Sequence, residues 1–214
     1  MYLAIEGVIG VGKTSLARLL QREFEAQLML EAFDENPFLS DFYDDRQLYA
    51  FQTQIFFLLS RYRQQHELTA IASPAPPLIA DYTFEKDALF ARLNLTGDEL
   101  ATYQLVHDAL AERVLFPDLV VYLRVDTPVA MRRIAQRDRP YERNMDQAYI
   151  DQVNQAYEQH FSQWTRHRVL TIDSNELDFV SRPDDFDWIA NSIRSALGIP
   201  PYQPPLPLQG EATA

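Results

Sequence analysis

Near its start the chain reads Ile5-Glu6-Gly7-Val8-Ile9-Gly10-Val11-Gly12-Lys13-Thr14-Ser15, which fits the pattern G-x-x-x-x-G-K-[ST] from Gly7 to Thr14. An apolar run over residues 2–5 predicts a buried strand before this segment, and the apolar periodicity of residues 15–24 predicts a helix after it. A tight turn between a strand and a helix points successive backbone N–H groups at one spot, which suits a chain of phosphates. The segment is therefore predicted to be a phosphate-binding loop (P-loop).

The rarest residues of the chain support this interpretation. Three of its six glycines lie in the P-loop, and so does one of its two lysines. We expect Lys13 to reach the β- and γ-phosphates of a bound nucleotide and the Thr14 hydroxyl to ligate Mg²⁺. The residues of this segment that are predicted to bind ATP are Gly7, Gly10, Val11, Gly12, Lys13, Thr14 and Ser15.

Length and composition limit the possible classes of protein. The 214 residues predict one domain over residues 1–198 and a flexible proline-rich tail over residues 199–214. Cysteine is absent, which excludes disulfides and thiolate metal sites. The net charge of −12 argues against a nucleic-acid partner, because phosphate backbones need basic surfaces. With no apolar run of membrane-spanning length and no signal segment at the N-terminus, a cytoplasmic protein without a membrane partner is expected.

Apolar runs alternate with helical patterns along the chain. Five strands are expected near residues 2–6, 27–31, 77–81, 118–125 and 168–172. A long helical pattern covers residues 46–68, and a final helix over residues 186–197 is expected to end before Gly198. This alternation predicts an α/β fold, a five-stranded parallel sheet with helices on both faces.

Two carboxylates are expected at the end of the sheet where ligands collect. Glu31 closes the second predicted strand and Asp81 closes the third, and ligands bind outside the carboxyl ends of parallel strands. We predict that Asp81 holds Mg²⁺ together with Thr14, and that Glu31 orients or deprotonates an acceptor hydroxyl beside the γ-phosphate. The N/T-K-x-D and D-x-x-G motifs of guanine-specific switch proteins are absent. A small kinase is therefore favoured over a regulatory GTPase.

Arginines are concentrated in one later segment of the chain. Five lie within twelve residues, namely Arg132, Arg133, Arg137, Arg139 and Arg143. Guanidinium groups bind phosphate oxygens in a forked geometry, and Arg133 and Arg137 share one face of the predicted helix. The segment is predicted to contact the phosphates of the donor.

Several spaced motifs over about residues 1–197 resemble the deoxyribonucleoside kinase family of animals and bacteria. The segment from Leu30-Glu31 to Asn36-Pro37-Phe38-Leu39 matches the part of the family that carries its catalytic Glu. Tyr43 matches the family's contact to the sugar 3′-hydroxyl, and Gln54, eleven residues later, matches the residue that reads the base. The resemblance implies the P-loop kinase fold and a site built from these side chains.

The same resemblance implies roles for further residues. Arg61 with Asp87 matches the polar pair at the edge of the base, and Glu142 matches a second contact to the 3′-hydroxyl. Residues 171–179, with Asp173 and Asn175, resemble the loop around the donor base. The family has an arginine-rich lid that closes over the donor phosphates, and this lid is matched by Arg133, Arg137 and Arg139. The resemblance implies that these arginines, together with Lys13, are catalytic residues that stabilise charge on the transferring phosphoryl group.

The activity implied by the resemblance is ATP-dependent phosphorylation of a deoxyribonucleoside at its 5′-hydroxyl, with Mg²⁺, in nucleotide salvage. Gln54 and Asp87 suit a purine or cytosine, and purines are favoured because bacterial members often take deoxyguanosine or deoxyadenosine. Family members are commonly homodimers through two long helices. The apolar stripes of residues 46–68 and 97–115 permit such a homodimer here.

One position departs from the family pattern. The family usually reads Glu/Asp-Arg-Ser at the end of the third strand, whereas this chain reads Asp81-Tyr82-Thr83. Tyr82 cannot supply the charge of the arginine that braces the catalytic Glu, and Lys86 is the candidate substitute one helical turn later. Two alternatives stay open: a nucleoside monophosphate kinase of the thymidylate kinase type, and a nucleotide-binding module that has lost catalysis.

Overall fold

The computed structural model describes residues 1–69, 76–112, 114–164 and 167–201. Its strands are β1 (Tyr2–Glu6), β2 (Gln27–Met29), β3 (Leu78–Ala80), β4 (Leu119–Arg124) and β5 (Val169–Asp173). Its α-helices are α1 (Lys13–Glu23), α2 (Leu39–Asp44), α3 (Arg46–Thr69), α4 (Lys86–Asn94), α5 (Gly97–Ala111), α6 (Thr127–Arg137), α7 (Gln147–Ser162) and α8 (Pro183–Leu197). Short 3-10 turns span Phe33–Glu35 and Pro140–Glu142.

The five strands form one sheet in the order β2-β3-β1-β4-β5, and every neighbouring pair is parallel. All five residues of the central strand β1 are buried. Because successive side chains of a strand point to opposite faces, helices must cover both faces of the sheet at this point. The predicted α/β fold with five parallel strands is confirmed.

Parallel pairing brings the chemically important chain segments to one edge of the sheet. The P-loop follows β1, Glu31 follows β2 and Asp81 follows β3 directly. The chain crosses from β3 to β4 on the other side of β1, so the strand order reverses next to the P-loop. Such a reversal opens the crevice in which α/β proteins bind ligands.

Several predicted boundaries differ from the observed ones, three of them as follows. Strand β2 ends at Met29 rather than near residue 31, because Met29 pairs with Ala80, the last residue of its only neighbour β3. Helix α1 begins at Lys13 rather than near residue 15. Helix α8 begins at Pro183 rather than near residue 186, since proline suits the first turn of a helix.

The C-terminal end of the fold agrees with the sequence as far as the structure describes it. Helix α8 ends at Leu197, and Gly198 caps it in the left-handed region with φ 72°. Residues 202–214 of the predicted tail lie outside the described residues. Within the described part of the chain, no helix combines the length and the apolar character needed to cross a bilayer.

Candidate active site

The P-loop lies between β1 and α1 and is fixed by its glycines. Gly12 has φ 106°, and a Cβ atom there would meet the Phe179 ring at 2.9 Å, so the loop after β5 packs directly over the P-loop. The Lys13 ammonium donates to the carbonyl oxygens of Gly7 at 2.7 Å and Val8 at 3.1 Å. Helix α1 begins immediately behind these groups, which places its N-terminus at the predicted phosphate site.

Asp81 connects the P-loop to the segment that carries Glu31. Its Oδ2 accepts a hydrogen bond from the Thr14 hydroxyl at 2.5 Å, and its Oδ1 accepts one from the Glu31 backbone N–H at 2.8 Å. The Asp81 side chain is buried. Thr14 and Asp81, which were predicted to hold a metal ion together, are therefore adjacent.

Each oxygen of the Glu31 carboxylate is bound by a different cation. The Arg61 guanidinium donates to Oε1, and the Lys86 ammonium donates to Oε2 at 2.7 Å. Both cations are themselves buried. Burial alone would raise the pKa of Glu31, but the charges and hydrogen bonds of Arg61 and Lys86 outweigh it and hold that pKa well below its ordinary value. Glu31 is an ionised carboxylate throughout the neutral range.

One cleft of about 1210 Å³ joins the predicted site residues. This volume exceeds the range of roughly 300–1,000 Å³ that is usual for a site that holds one small molecule. Sixteen of the residues predicted to form the site line the cleft: Gly10, Val11, Gly12, Lys13, Thr14, Ser15, Glu31, Tyr43, Gln54, Arg61, Asp81, Arg133, Arg137, Arg139, Glu142 and Asn175.

Three predicted site residues do not line the cleft. Gly7 lies below the P-loop surface, against the backbone of Leu123. Asp87 is fully buried and forms an ion pair with Arg61. Asp173 ends β5 with an exposed side chain, whose Oδ1 accepts the Asn175 N–H at 3.0 Å. Asp87 and Asp173 can therefore affect a ligand through a neighbouring residue.

The end of the cleft beside α3 carries an amide among aromatic rings. Gln54 is only 3% exposed and lines the cleft. Phe57 and Phe90 line the cleft as well, and the Arg61 guanidinium lies 5.0 Å from the Phe57 ring centre. The amide can both donate and accept hydrogen bonds, so a ligand that enters the cleft can pair with it. This end of the cleft is therefore suited to a flat ligand that hydrogen-bonds through its edge.

The predicted arginine segment has more internal contacts than the sequence indicates. Arg133 donates to the carbonyl oxygens of Val11, Ser174 and Leu177 at 2.7–3.2 Å, so it ties the loop after β5 to the P-loop. Arg137 binds the buried Glu142 carboxylate with three hydrogen bonds of 2.5, 2.6 and 3.0 Å. Two predicted site residues, one for phosphate and one for the sugar, are thus paired with each other.

Arg139, the third arginine of the group, lies between a ring and a carboxylate. Its guanidinium is 3.8 Å from the centre of the Phe33 ring, and its Nη1 is 3.6 Å from Glu142 Oε1. Stacking of a guanidinium on an aromatic ring fixes its orientation at little entropic cost. Arg139 is therefore a preoriented cation at the mouth of the cleft.

Sequence reasoning missed several residues of this region. The Glu6 carboxylate is buried at the end of β1, where it accepts hydrogen bonds from the Thr83 backbone at 2.6 Å and the Tyr157 hydroxyl at 2.9 Å. The sequence did contain a signal for Glu6, because it is an acidic residue at the end of an otherwise apolar strand. Tyr141 stacks on Tyr43 with ring centres 6.1 Å apart, and no local pattern indicates that contact.

A P-loop lysine, an adjacent Thr–Asp pair and an ionised carboxylate in one cleft of a parallel α/β sheet define a small P-loop kinase. Comparison with known proteins identifies the family: the deoxynucleoside kinase family model matches residues 3–197. The chain belongs to the deoxynucleoside kinase family, and it is a phosphotransferase that acts on deoxynucleosides. The resemblance inferred from the sequence is confirmed.

The relatives and solved structures are consistent with this assignment. A deoxyguanosine kinase of Bacillus subtilis (strain 168) is 32% identical over 201 residues, which cover 92% of this chain and 97% of that protein. A deoxyadenosine kinase of Dictyostelium discoideum is 32% identical and covers 91% of this chain and 78% of that protein. The structure of deoxyadenosine kinase from M. mycoides with bound dCTP has a TM-score of 0.79 at 27% identity, covering 91% of this chain and 100% of that one.

Proposed function

We propose that this enzyme transfers the γ-phosphoryl group of ATP·Mg²⁺ to the 5′-hydroxyl of a deoxyribonucleoside, in nucleotide salvage. The observation that carries the proposal is the continuity of the cleft from the P-loop to Gln54. Glu31 links the two ends, since its backbone N–H binds Asp81 near the P-loop and its carboxylate binds Arg61 on the helix that carries Gln54. A donor and an acceptor can therefore be held together.

In the proposed reaction the acceptor oxygen forms a bond to the γ-phosphorus while the bond to the β–γ bridging oxygen breaks and ADP leaves. Glu31 orients the hydroxyl and accepts its proton. The N-terminus of α1 and Lys13 neutralise charge on the transferring group. Catalysis of this kind depends mainly on positioning and electrostatics.

The chemistry of the adjacent Thr14–Asp81 pair fits Mg²⁺. This ion prefers oxygen ligands and is commonly bound through one or two protein groups together with substrate phosphates. A hydroxyl and a carboxylate oxygen 2.5 Å apart provide such a partial ligand set beside the P-loop. When bound, Mg²⁺ would polarise the phosphoryl oxygens and orient the donor.

The sugar and the donor phosphates are assigned to the wall formed by α2, α6 and the turn at Pro140–Glu142. Tyr43 and Glu142 line the cleft and are proposed to bind the 3′-hydroxyl. The segment with Arg133, Arg137 and Arg139 is proposed to act as the lid over the donor, with Asn175 at the donor base. Because Arg137 is paired with Glu142, closure of this lid would be coupled to the sugar contact.

We assign a purine as the preferred base. The Gln54 amide can donate and accept along one edge of a purine, and the Phe57 ring adds an apolar wall. The relatives at 32% identity are named deoxyguanosine kinase and deoxyadenosine kinase. A related structure of deoxyadenosine kinase is described with dCMP as a product, so cytosine is the pyrimidine to test.

The test is coupled ATP consumption with Mg²⁺ on the four deoxynucleosides and, in parallel, on their monophosphates. We expect turnover on deoxyguanosine or deoxyadenosine and none on any monophosphate. Turnover on monophosphates alone would replace the proposal with a nucleoside monophosphate kinase. ATP binding without turnover on either panel would identify a nucleotide-binding module.

We also propose that the enzyme is a cytoplasmic homodimer formed through α3 and α5. These helices pack side by side, and Leu48, Leu59 and Leu105 on them are 61%, 48% and 75% exposed. Exposed leucines on adjacent helices are typical of an interface between subunits. Sedimentation equilibrium should give about twice the chain mass of 24.8 kDa, whereas a single chain mass at micromolar concentration would contradict the dimer.

A further inference from the structure

Both lysines of this chain lie in the active-site cleft. The protein has 19 basic residues, of which Lys13 and Lys86 are the only lysines. Lys86 is the first residue of α4 and only 7% exposed, and it lines the cleft at a point remote from the P-loop in sequence. Burying an ammonium group costs several kcal/mol unless it is paired. Lys86 therefore requires a partner, and the structure shows which one.

That partner is Glu31. The Lys86 ammonium donates to Glu31 Oε2 at 2.7 Å, and this is its only hydrogen bond to the described part of the chain. A lysine ammonium has three N–H groups, so two remain beside the cleft. The other cation at Glu31, Arg61, is shared with the fully buried Asp87 on its far side. Arg61 therefore serves two carboxylates, whereas Lys86 binds Glu31 alone.

The residue at position 82 cannot take over this role. Tyr82 is fully buried, and its hydroxyl donates to Gln64 Oε1 at 2.7 Å. The Tyr82 ring lies against the Arg61 guanidinium, 5.5 Å away, and it does not line the cleft. The end of β3 therefore supplies no cation to Glu31, and the nearest one along the chain comes from the first residue of α4.

We propose that Lys86 is a positioning residue for the phosphoryl transfer, which holds the Glu31 carboxylate directed at the acceptor hydroxyl. This inference rests on the proposed function, because it takes the acceptor hydroxyl to be the partner of the Glu31 carboxylate. Two cations on two oxygens fix the rotation of the carboxylate, and removing either one frees it to turn. Lys86 thus acts through Glu31 rather than on the substrate directly.

The surroundings of Glu31 determine what a loss of Lys86 would do. The charged groups that face it are Lys13 from α1, Arg61 from α3, Lys86 from α4 and Asp81 after β3. Three tyrosines also face it and stay neutral because burial raises the pKa of each: Tyr43, Tyr82 and Tyr157. Without Lys86, Arg61 remains as the only directly bound cation, and Glu31 Oε2 loses its partner.

The test compares wild type with Lys86→Met, Lys86→Arg and Arg92→Met in steady-state assays, with melting temperatures for each. Methionine keeps the length of the side chain beside Phe90 and removes the charge, and Arg92 is an exposed residue of the same helix. For Lys86→Met we expect kcat to fall roughly 10–100-fold with little change in KM for the deoxynucleoside.

Two further variants complete the design. Lys86→Arg should recover much of the lost kcat, because a guanidinium can bind the same carboxylate oxygen. Arg92→Met should behave as wild type. A Lys86→Met enzyme with wild-type kcat would overturn the assignment of Lys86 alone. A wild-type enzyme without turnover on any deoxynucleoside would overturn the proposed function, and with it the reaction in which Lys86 is placed.

Discussion

Glu31→Gln is expected to lower kcat by about 10²–10⁴-fold, the range for loss of a general base. The amide keeps the size of the side chain but cannot accept a proton, and its NH₂ group would face one of the two cations that now bind a carboxylate oxygen. Affinity for ATP should change little, because Glu31 contacts neither the P-loop backbone nor Lys13 directly. The measurement is kcat and KM for both substrates, with the melting temperature recorded alongside.

Glu35→Gln is the matched control for this substitution. Glu35 lies four residues further on, with an exposed side chain and a long ion pair of 3.5 Å to Arg63. Glu35→Gln removes the same charge from the same stretch of chain, and exposed ion pairs of this kind contribute little to stability. Glu35→Gln should therefore retain wild-type kcat. A Glu31→Gln enzyme with the same kcat as Glu35→Gln would contradict the role given to Glu31.

Lys13→Met is expected to lower kcat by about 10²–10³-fold. This is the range found in other enzymes when one preorganised group that stabilises charge in the transition state is removed. Lys13 is held at the P-loop by two carbonyl oxygens, so its ammonium needs little reorganisation to meet a phosphate. Arg22→Met, an exposed position on the same helix, removes an equal charge as the control. Equal turnover of the two variants would contradict the assignment of Lys13 to the donor phosphates.

The pKa of Lys13 predicts how the KM for ATP depends on pH. Burial, reinforced by the positive charge of Lys86, lowers the pKa of Lys13 to about 8. The group is charged below that pH and neutral above it, so the free enzyme loses a phosphate-binding cation as the pH rises. The KM for ATP should therefore increase above about pH 8, with a slope of at most one on a logarithmic scale. Lys13→Met should show no such increase.

The sheet could be predicted from the sequence because its information is local. β1, β3 and β4 are short, nearly continuous apolar runs, and their carboxyl ends carry the P-loop and Asp81. The end of β2 could not be placed, because it depends on where the neighbouring strand β3 stops. The residue at which such a strand ends is set by pairing across the sheet rather than by the residues of the strand itself.

The sequence indicated candidate members of the site but not how they pair with one another. Local motifs and the family resemblance indicate Glu31, Arg61 and Lys86 one by one, yet their mutual contacts join residues 30 and 55 positions apart and follow from the packing of α3 and α4 beside β2. Arg133 was predicted as a phosphate ligand, whereas in the structure it binds backbone carbonyl oxygens of the loop after β5. A guanidinium can satisfy either partner, and only the tertiary arrangement selects one.

The most direct test of the account is identification of the product formed from ATP, Mg²⁺ and deoxyguanosine or deoxyadenosine by the wild-type enzyme. ³¹P NMR distinguishes a 5′-phosphate from a 3′-phosphate or a diphosphate and reports ADP in the same spectrum. We predict one deoxynucleoside 5′-monophosphate for each ADP formed. Phosphate found only on an added monophosphate, or ATP bound without any phosphorylated nucleoside, would contradict the account.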